Sequence, residues 1–377
     1  MKLKCEETLD SLTQGLSSGL PGVVLAAFSK DETFYTVAKG QLKEEKGQQI
    51  TLDSTFWGFS CTKLLTTIAV LQCVEKGLIG LDDPVGSVLP ELENPDVIKA
   101  KPDGLFELVP AKNKITLRHL VTHTSGLSYD AMHPILVAWR KSRGECPLVM
   151  SGKMVEAFTL PLLFEPGSSW VYGSGLDWVG VLVERLNVSW ITKLDLPSIH
   201  ETRHPDKAQM WHRADTGELS PIPSPYPLDA QDDSGGMGLI TSTSDFIAIL
   251  QDLLKEKPVL LKPDSVAAMF TTQFETGTRQ YEGLVGQESL HKQLTGDDTG
   301  HPEVAFGLGG LVVQGNVPNL PSKTLTWNGM PNIGWFVNRD RDLGAVYVSQ
   351  VLPTGDAKSV GLLGEFWREI WSKHGQS

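Results

Sequence analysis

With 377 residues the chain is long enough to bury a substantial core, as one large domain or two ordinary ones. Its 40% hydrophobic and 21% charged residues are the proportions of a globular protein, which excludes a disordered or fibrous chain. The 33 basic and 45 acidic side chains leave a formal charge of −12 and no basic run, so no nucleic-acid partner is expected.

No apolar run approaches the roughly 18 residues that a membrane span needs, so none is expected. The N-terminal stretch carries Lys2 and Lys4 but no apolar h-region, which argues against a signal peptide. Cys5, Cys61, Cys73 and Cys146 show no CxxC spacing and read as free thiols, so the expected location is cytoplasmic. In that setting the sequon Asn187-Val188-Ser189 carries no weight.

In chain order, residues 22–28 read as a buried strand and residues 32–40 as its hairpin partner. Residues 55–59 lead into a helix that starts at Ser60. Leu64, Ile68, Leu71, Val74 and Leu78 give it one apolar stripe, and Gly77 or Gly80 ends it. Residues 116–123 predict a second short helix, ending at Ser125-Gly126. The stretch 81–300 is rich in loops, with helical pieces at 176–186 and 244–254. Strand patterns return at 306–313, 323–327, 333–338 and 344–350, and a helix over 357–373 closes the chain with Val360, Leu363, Phe366, Trp367 and Ile370 on one face. The fold class is therefore α+β: a mainly antiparallel sheet built from both termini, flanked by helices, with a helical insertion. No repeat or linker marks a boundary, so residues 1–377 are expected to form one unit. Its sheet part covers about 1–58 and 301–377, and its helical and loop part about 59–300.

Ser60-Cys61-Thr62-Lys63 at the start of an apolar helix carries the chemistry. Residues three apart share a helix face, so a hydroxyl nucleophile and an amine base can touch. Ser-x-x-Lys alone is a weak signal: Ser289-Leu290-His291-Lys292 repeats it in a polar stretch, and a serine before a helix is equally at home as an N-cap. Lys63 serves as base only when neutral, a state favoured by desolvation among Phe56, Trp57 and Phe59. The alternative is a solvated lysine paired with a carboxylate. Tyr172, after the turn Phe164-Glu165-Pro166-Gly167, is placed to relay the Ser60 proton or simply to pack. Trp327-Asn328-Gly329-Met330 follows a strand. It reads as an active-site edge strand whose backbone N–H joins that of Ser60 to hold an oxyanion, or as a plain strand–turn. His119 and His123, four apart, lack a glutamate or third ligand and read as structural. Phe306-Gly307-Leu308-Gly309-Gly310 lacks the Lys-Ser/Thr of a phosphate loop and reads as a strand start.

Residues 56–66, 115–127 and 235–245 together resemble the serine β-lactamase and penicillin-binding-protein superfamily. Ser-Cys-Thr-Lys-Leu-Leu-Thr (60–66), Gly-Leu-Asp-Trp (175–178) and Ser-Gln-Val-Leu-Pro-Thr-Gly-Asp (349–356) resemble its class C-like esterases and fungal lovastatin-type acyltransferases in particular. The resemblance spans nearly the whole chain and implies a β-lactamase/transpeptidase-like fold. It makes Ser60 the nucleophile, Lys63 its base and Tyr172 the second general acid/base. Ser174 stands where many relatives have asparagine. Trp327-Asn328-Gly329 stands in place of Lys-Thr-Gly, which removes the cation that grips a β-lactam carboxylate and suits an apolar acyl chain instead. After Leu186 the chain looks shortened relative to that family.

The function implied is acyl transfer from a thioester, on coenzyme A or an acyl carrier protein domain, to a hydroxyl of a small secondary metabolite. The alternatives are ester hydrolysis by the same residues and, more remotely, a non-catalytic binding protein. The chemistry requires no metal and no organic cofactor.

Overall fold

The computed structural model describes residues 2–15, 19–44, 47–102, 104–187, 206–287, 290, 293–294, 303–315, 317 and 319–374. The second Ser-x-x-Lys, the sequon and the shortened stretch after Leu186 lie wholly or partly outside them.

Both ends of the chain feed one sheet. Gly22–Phe28 (GVVLAAF) is buried along its whole length. It pairs antiparallel with Thr33–Gly40 on one side and with Leu343–Val348 on the other. From Leu343–Val348 the sheet continues through Ile333–Asn338, Thr324–Gly329, Leu311–Val313 and Val304–Phe306, seven antiparallel strands among the described residues. A central strand buried on both faces has no need of polar alternation, which is why Ile333–Asn338 reads as an apolar run. Successive side chains point to opposite faces. Trp335 meets Phe246 of the helix Thr243–Leu254, with ring centroids 6.3 Å apart. On the other face, Phe336 meets Trp367 and Trp371 of the C-terminal helix Ala357–His374, at 4.8 and 5.0 Å. The outer strand Thr33–Gly40 is half exposed and more polar, as an edge should be.

The two termini are joined directly. Glu369 of the C-terminal helix accepts from the backbone N–H groups of Lys4 and Cys5, at 2.7 and 2.6 Å, where the N-terminal helix Cys5–Thr13 leaves donors unpaired. Burial, and then the Glu369 charge, push the Cys5 thiol up to about 12.

Three expectations need correction. The pattern over 306–313 is two strands, not one, because Gly307-Leu308-Gly309-Gly310 turns the chain back. Gly309 lies at φ +91° and Gly307 N–H bonds Gly310 O at 2.9 Å. Thr324–Gly329 is an interior strand, not an edge; its outer neighbour pairs only with Leu325 and Thr326, so that ladder does not extend to Trp327, Asn328 and Gly329. The helix after Ser60 is enclosed well beyond the one apolar stripe expected of it. Thr62–Glu75 is buried nearly all round, with Thr66, Thr67, Val70 and Cys73 enclosed along with Leu64, Ile68 and Leu71. Leu78 lies beyond its end at Glu75 and is 45% exposed.

The loop-rich middle holds more order than its pattern suggested, including the hairpin Asp96–Ala100/Phe106–Pro110 and the helix Pro134–Ser142. The helices at Leu117–Val121, Gly175–Leu186 and Thr243–Leu254 form where expected. Among the described residues no helix is long and apolar enough to cross a membrane.

Candidate active site

The Ser60 turn is held from three sides. Thr55–Trp57 pairs with Ile240–Ser242, and Gly58 N–H continues that ladder to Leu239 O at 2.8 Å. The Gln350 amide brackets Trp57 from the sheet side, accepting its N–H at 3.1 Å and donating to its carbonyl at 3.2 Å. Gly329 presses on the turn so closely that a Cβ there would lie 2.5 Å from Gly58 O, a distance real Cβ atoms do not show. Phe59 sits at φ +42°, an uncommon region for a bulky residue; surrounding packing must hold it against about 1–2 kcal/mol of backbone strain. Ser60 lies in a short 3-10 turn, Phe59–Cys61, and the α-helix begins at Thr62. Ser60 is therefore no helix N-cap: Cys61 holds that position, and no side chain caps the helix.

Ser60 and Lys63 share a face as the spacing requires, with Lys63 Nζ 3.4 Å from Ser60 Oγ. Tyr172 closes the arrangement from a loop 112 residues away, its hydroxyl 2.6 Å from Ser60 Oγ. The Lys63 Nζ also lies 4.9 Å from the centre of the Tyr172 ring. Lys63 is only 2% exposed, so the reading of a solvated lysine on a carboxylate does not apply. An ammonium buried without partners would cost several kcal/mol, and it offers three N–H donors. Three acceptors stand around it: Ser60 Oγ, the Tyr129 hydroxyl at 3.1 Å and the Gly236 carbonyl at 2.8 Å. The bond to Ser60 is the longest of the three.

Behind the lysine lies a second layer. The Tyr129 hydroxyl donates to Asp177 Oδ2 at 2.7 Å. Asp177 Oδ1 accepts from Ser234 Oγ at 2.5 Å and from Gly236 N–H at 3.2 Å. Burial raises the Asp177 carboxyl above its usual range, while the charge of Lys63 and the donated hydrogen bonds pull it back. Burial, then the Asp177 charge, raise Tyr129 well above the usual phenol range. Its proton is committed to Asp177, so of the two phenols at Lys63 only Tyr172 touches the serine.

Trp327 packs its ring on Tyr172 and on Phe306, at 5.5 and 5.4 Å between centroids, and is 2% exposed. His123 packs against Tyr172 at 4.8 Å, and its Nδ1 accepts from Gly173 N–H at 3.3 Å. Burial, then the charge of Lys63, hold His123 well below the usual imidazole range. His119 Nδ1 accepts from Thr116 N–H at 3.2 Å in a helix cap. Both imidazoles serve structure, and no metal-ligating cluster occurs among the described residues. Ser174 is fully buried, and its Oγ finds no hydrogen-bond partner among the described residues. Asn328 is 9% exposed and donates from Nδ2 to Gln293 Oε1 at 3.3 Å. Met330 is half-buried at the turn that follows, its carbonyl accepting from Thr354 Oγ1 at 2.7 Å.

The residue reading thus reached Ser60, Lys63 and Tyr172 and missed Tyr129, Asp177 and Ser234. A signal for Asp177 exists: a carboxylate on the otherwise apolar helix face Gly-Leu-Asp-Trp-Val-Gly requires a buried partner. Tyr129 and Ser234 carry no local signal, since loop tyrosines and serines are common.

Ser60, Lys63 and Tyr172 converge at the joint of an antiparallel sheet and a helical region. A family model described as Beta-lactamase matches residues 8–363, and the chain belongs to that family. It is 35% identical to the acyltransferase calJ of Penicillium decumbens, over 83% of this chain and 80% of that one. It is 32% identical to the lovastatin esterase of Penicillium rubens, over 93% and 94%. Among solved structures it is similar to unliganded simvastatin synthase (LovD) from Aspergillus terreus, with a TM-score of 0.85 at 28% identity, over 98% and 97% of the two chains.

Proposed function

We propose that the chain is a serine acyltransferase that moves an acyl group from a thioester to a hydroxyl of a small secondary metabolite. The observation that carries this is Ser60 Oγ lying between the Tyr172 hydroxyl and Lys63 Nζ within a buried aromatic surround. Ser60 Oγ attacks the thioester carbonyl and gives its proton to neutral Lys63. Tyr172 passes a proton to the departing thiolate, leaving an acyl-Ser60 ester. An acceptor hydroxyl then loses its proton to the same pair, attacks the ester and regenerates Ser60. The backbone N–H groups of Ser60 and Met330 are the donors we assign to the oxyanion, a role supported by the close approach of Gly329 to the Ser60 turn. Trp327, Asn328 and Ser174 complete the substrate-binding set in this reading. No residue of the set supplies the cation a β-lactam carboxylate needs.

The donor is a thioester on coenzyme A or an acyl carrier protein, and the whole chain acts as one catalytic unit. Its four unpaired thiols support a cytoplasmic location. Ester hydrolysis is the second reading, favoured by the similarity to an esterase over nearly the full length of both chains. The two differ in whether water is kept from the acyl-enzyme.

The test is intact mass after mixing with a short acyl thioester, wild type beside Ser60→Ala. One acyl increment on the wild type alone is expected. No increment and no thioester consumption across a fair donor panel would reject the transferase. The partition of acyl-enzyme between an added alcohol and water then separates transfer from hydrolysis.

A further inference from the structure

The acyl-enzyme reading uses Ser60, Lys63 and Tyr172 and leaves a fully buried carboxylate one phenol away from the base. Resting on that reading, we infer that Asp177 is a positioning residue for Lys63, acting through Tyr129: the chain Lys63–Tyr129–Asp177–Ser234 fixes where the amine points and balances its charge.

The direction of every hydrogen bond in this chain follows from what each group can do. Asp177 accepts from Tyr129, Ser234 and Gly236 N–H. Gly236 N–H can only donate, the Tyr129 oxygen already accepts from Lys63 and the Ser234 oxygen from Met237 N–H, so both hydroxyl protons are left for Asp177 and a carboxylate matches that set. Because the Tyr129 proton points to Asp177, the Tyr129 oxygen can only accept from Lys63, and it does so at 3.1 Å. That bond and the one to Gly236 O aim the remaining tetrahedral direction of Lys63 Nζ at Ser60, an N–H in the ammonium and the lone pair in the neutral amine. Gly236 takes part twice, its carbonyl on Lys63 and its N–H on Asp177, so the carboxylate also fixes the second anchor of the amine. Asp177 and Ser234 come from the helix Gly175–Leu186 and from the stretch leading to Met237, neither of which touches Ser60 through this chain.

The other titratable groups facing this cluster include Tyr172 and His123 on the loops beside Lys63, Cys61 on the Ser60 turn, and Tyr226 and Asp233 on the segment that carries Ser234. Burial raises Tyr226 and Asp233, as it does Asp177, and holds His123 well below the usual imidazole range; what sets Asp177 apart is its hydrogen bond to the Tyr129 hydroxyl that contacts the amine.

The experiment is the rate of labelling by an alkyl fluorophosphonate, followed by intact mass from pH 5 to 10. Ser60 Oγ displaces fluoride at phosphorus and loses its proton to Lys63, so the rate reports the base without any natural substrate. Wild type, Asp177→Asn and Tyr129→Phe are compared, with Ser60→Ala as the unlabelled control and thermal melts as the measure of folding. In Asp177→Asn the plateau rate should fall by about tenfold while the acid-side limb moves to lower pH by about one unit, because an anion near the amine is gone. Tyr129→Phe keeps the anion and breaks the contact, so its plateau falls while its limb moves less.

A carboxylate that merely pins the 234–236 turn would lower the melting temperature and leave the limb in place, and that result overturns the inference. If Asp177→Asn does not fold, an unchanged rate and profile in Tyr129→Phe overturns it. Absence of Ser60-dependent labelling in the wild type at every pH would reject the nucleophile reading and this inference together. Normal wild-type labelling with an unmoved Asp177→Asn profile rejects the inference alone.

Discussion

The two sides of Lys63 differ in almost every respect. In front, Ser60 and Tyr172 are half-buried. Behind, Tyr129, Asp177 and Ser234 are 3%, 0% and 6% exposed. In the proposed reaction the front groups gain and lose protons; at the back the Tyr129 and Ser234 hydroxyls both donate to Asp177, and burial raises Tyr129 well above the usual phenol range. Reactive and fixed polar groups are thus separated by one side chain.

The sharpest way to test this division is at Tyr172. Tyr172→Phe keeps the ring and its packing on Trp327 and His123 but removes the hydroxyl 2.6 Å from Ser60. The acylation rate should fall by about 10²–10⁴-fold with the melting temperature nearly unchanged. Single-turnover kinetics beside a thermal melt decide it, and a stability loss as large as the rate loss would contradict a purely reactive front.

Trp327→Ala probes the wall that supports the phenol. Emptying a fully packed indole site should cost about 3–5 kcal/mol of stability, read by urea denaturation, and should lower the acylation rate as Tyr172 loosens. Retained stability would show that the indole is not core.

Gly173→Ala tests the seat of the Tyr172 loop. A Cβ there would lie 2.3 Å from Leu127 O and 2.4 Å from Ser128 Cα, both backbone atoms that cannot swing aside. We expect about 1–3 kcal/mol of destabilisation, with slower acylation from a displaced phenol. Wild-type melting and kinetics in this variant would mean the loop has slack that the packing does not suggest.

The smallest effect belongs to His123. Its imidazole stays neutral in the fold because burial holds it well below its ordinary value of 6.5. Below about pH 6.5 the unfolded chain takes up a proton that the folded chain does not, so stability is lost as pH falls, by up to about 1.4 kcal/mol per pH unit. Asn tolerates the φ of +58° at this position, so His123→Asn should fold with lower stability and lack this part of the acid slope. Equal slopes for wild type and variant between pH 7 and 5.5 would exclude His123 as a source of acid sensitivity.

How much of this was legible in the chain follows from the range over which each signal acts. The Ser60–Lys63 contact was readable because helical geometry alone fixes residues three apart. The central strands were readable from continuous apolar runs, and the C-terminal helix from its stripe of Val360, Leu363, Phe366 and Trp367. The turn at Gly307–Gly310 was misread as a strand start because two short strands around glycines look like one longer one. The Ser60 helix was credited with one apolar stripe because apolar periodicity shows which face is buried but not whether the threonines opposite are buried too.

Sequence by itself determined the family and the meeting of Ser60 with Lys63, since residues one helical turn apart need only local structure to touch. Only the tertiary structure decided which tyrosine serves the serine and which serves the carboxylate. Tyr129 and Tyr172 both approach Lys63, and their roles differ because Asp177, carried in on another helix, claims one phenolic proton and leaves the other free to reach Ser60. That choice depends on contacts spanning 48 and 112 residues, and no local pattern encodes a distance of that kind.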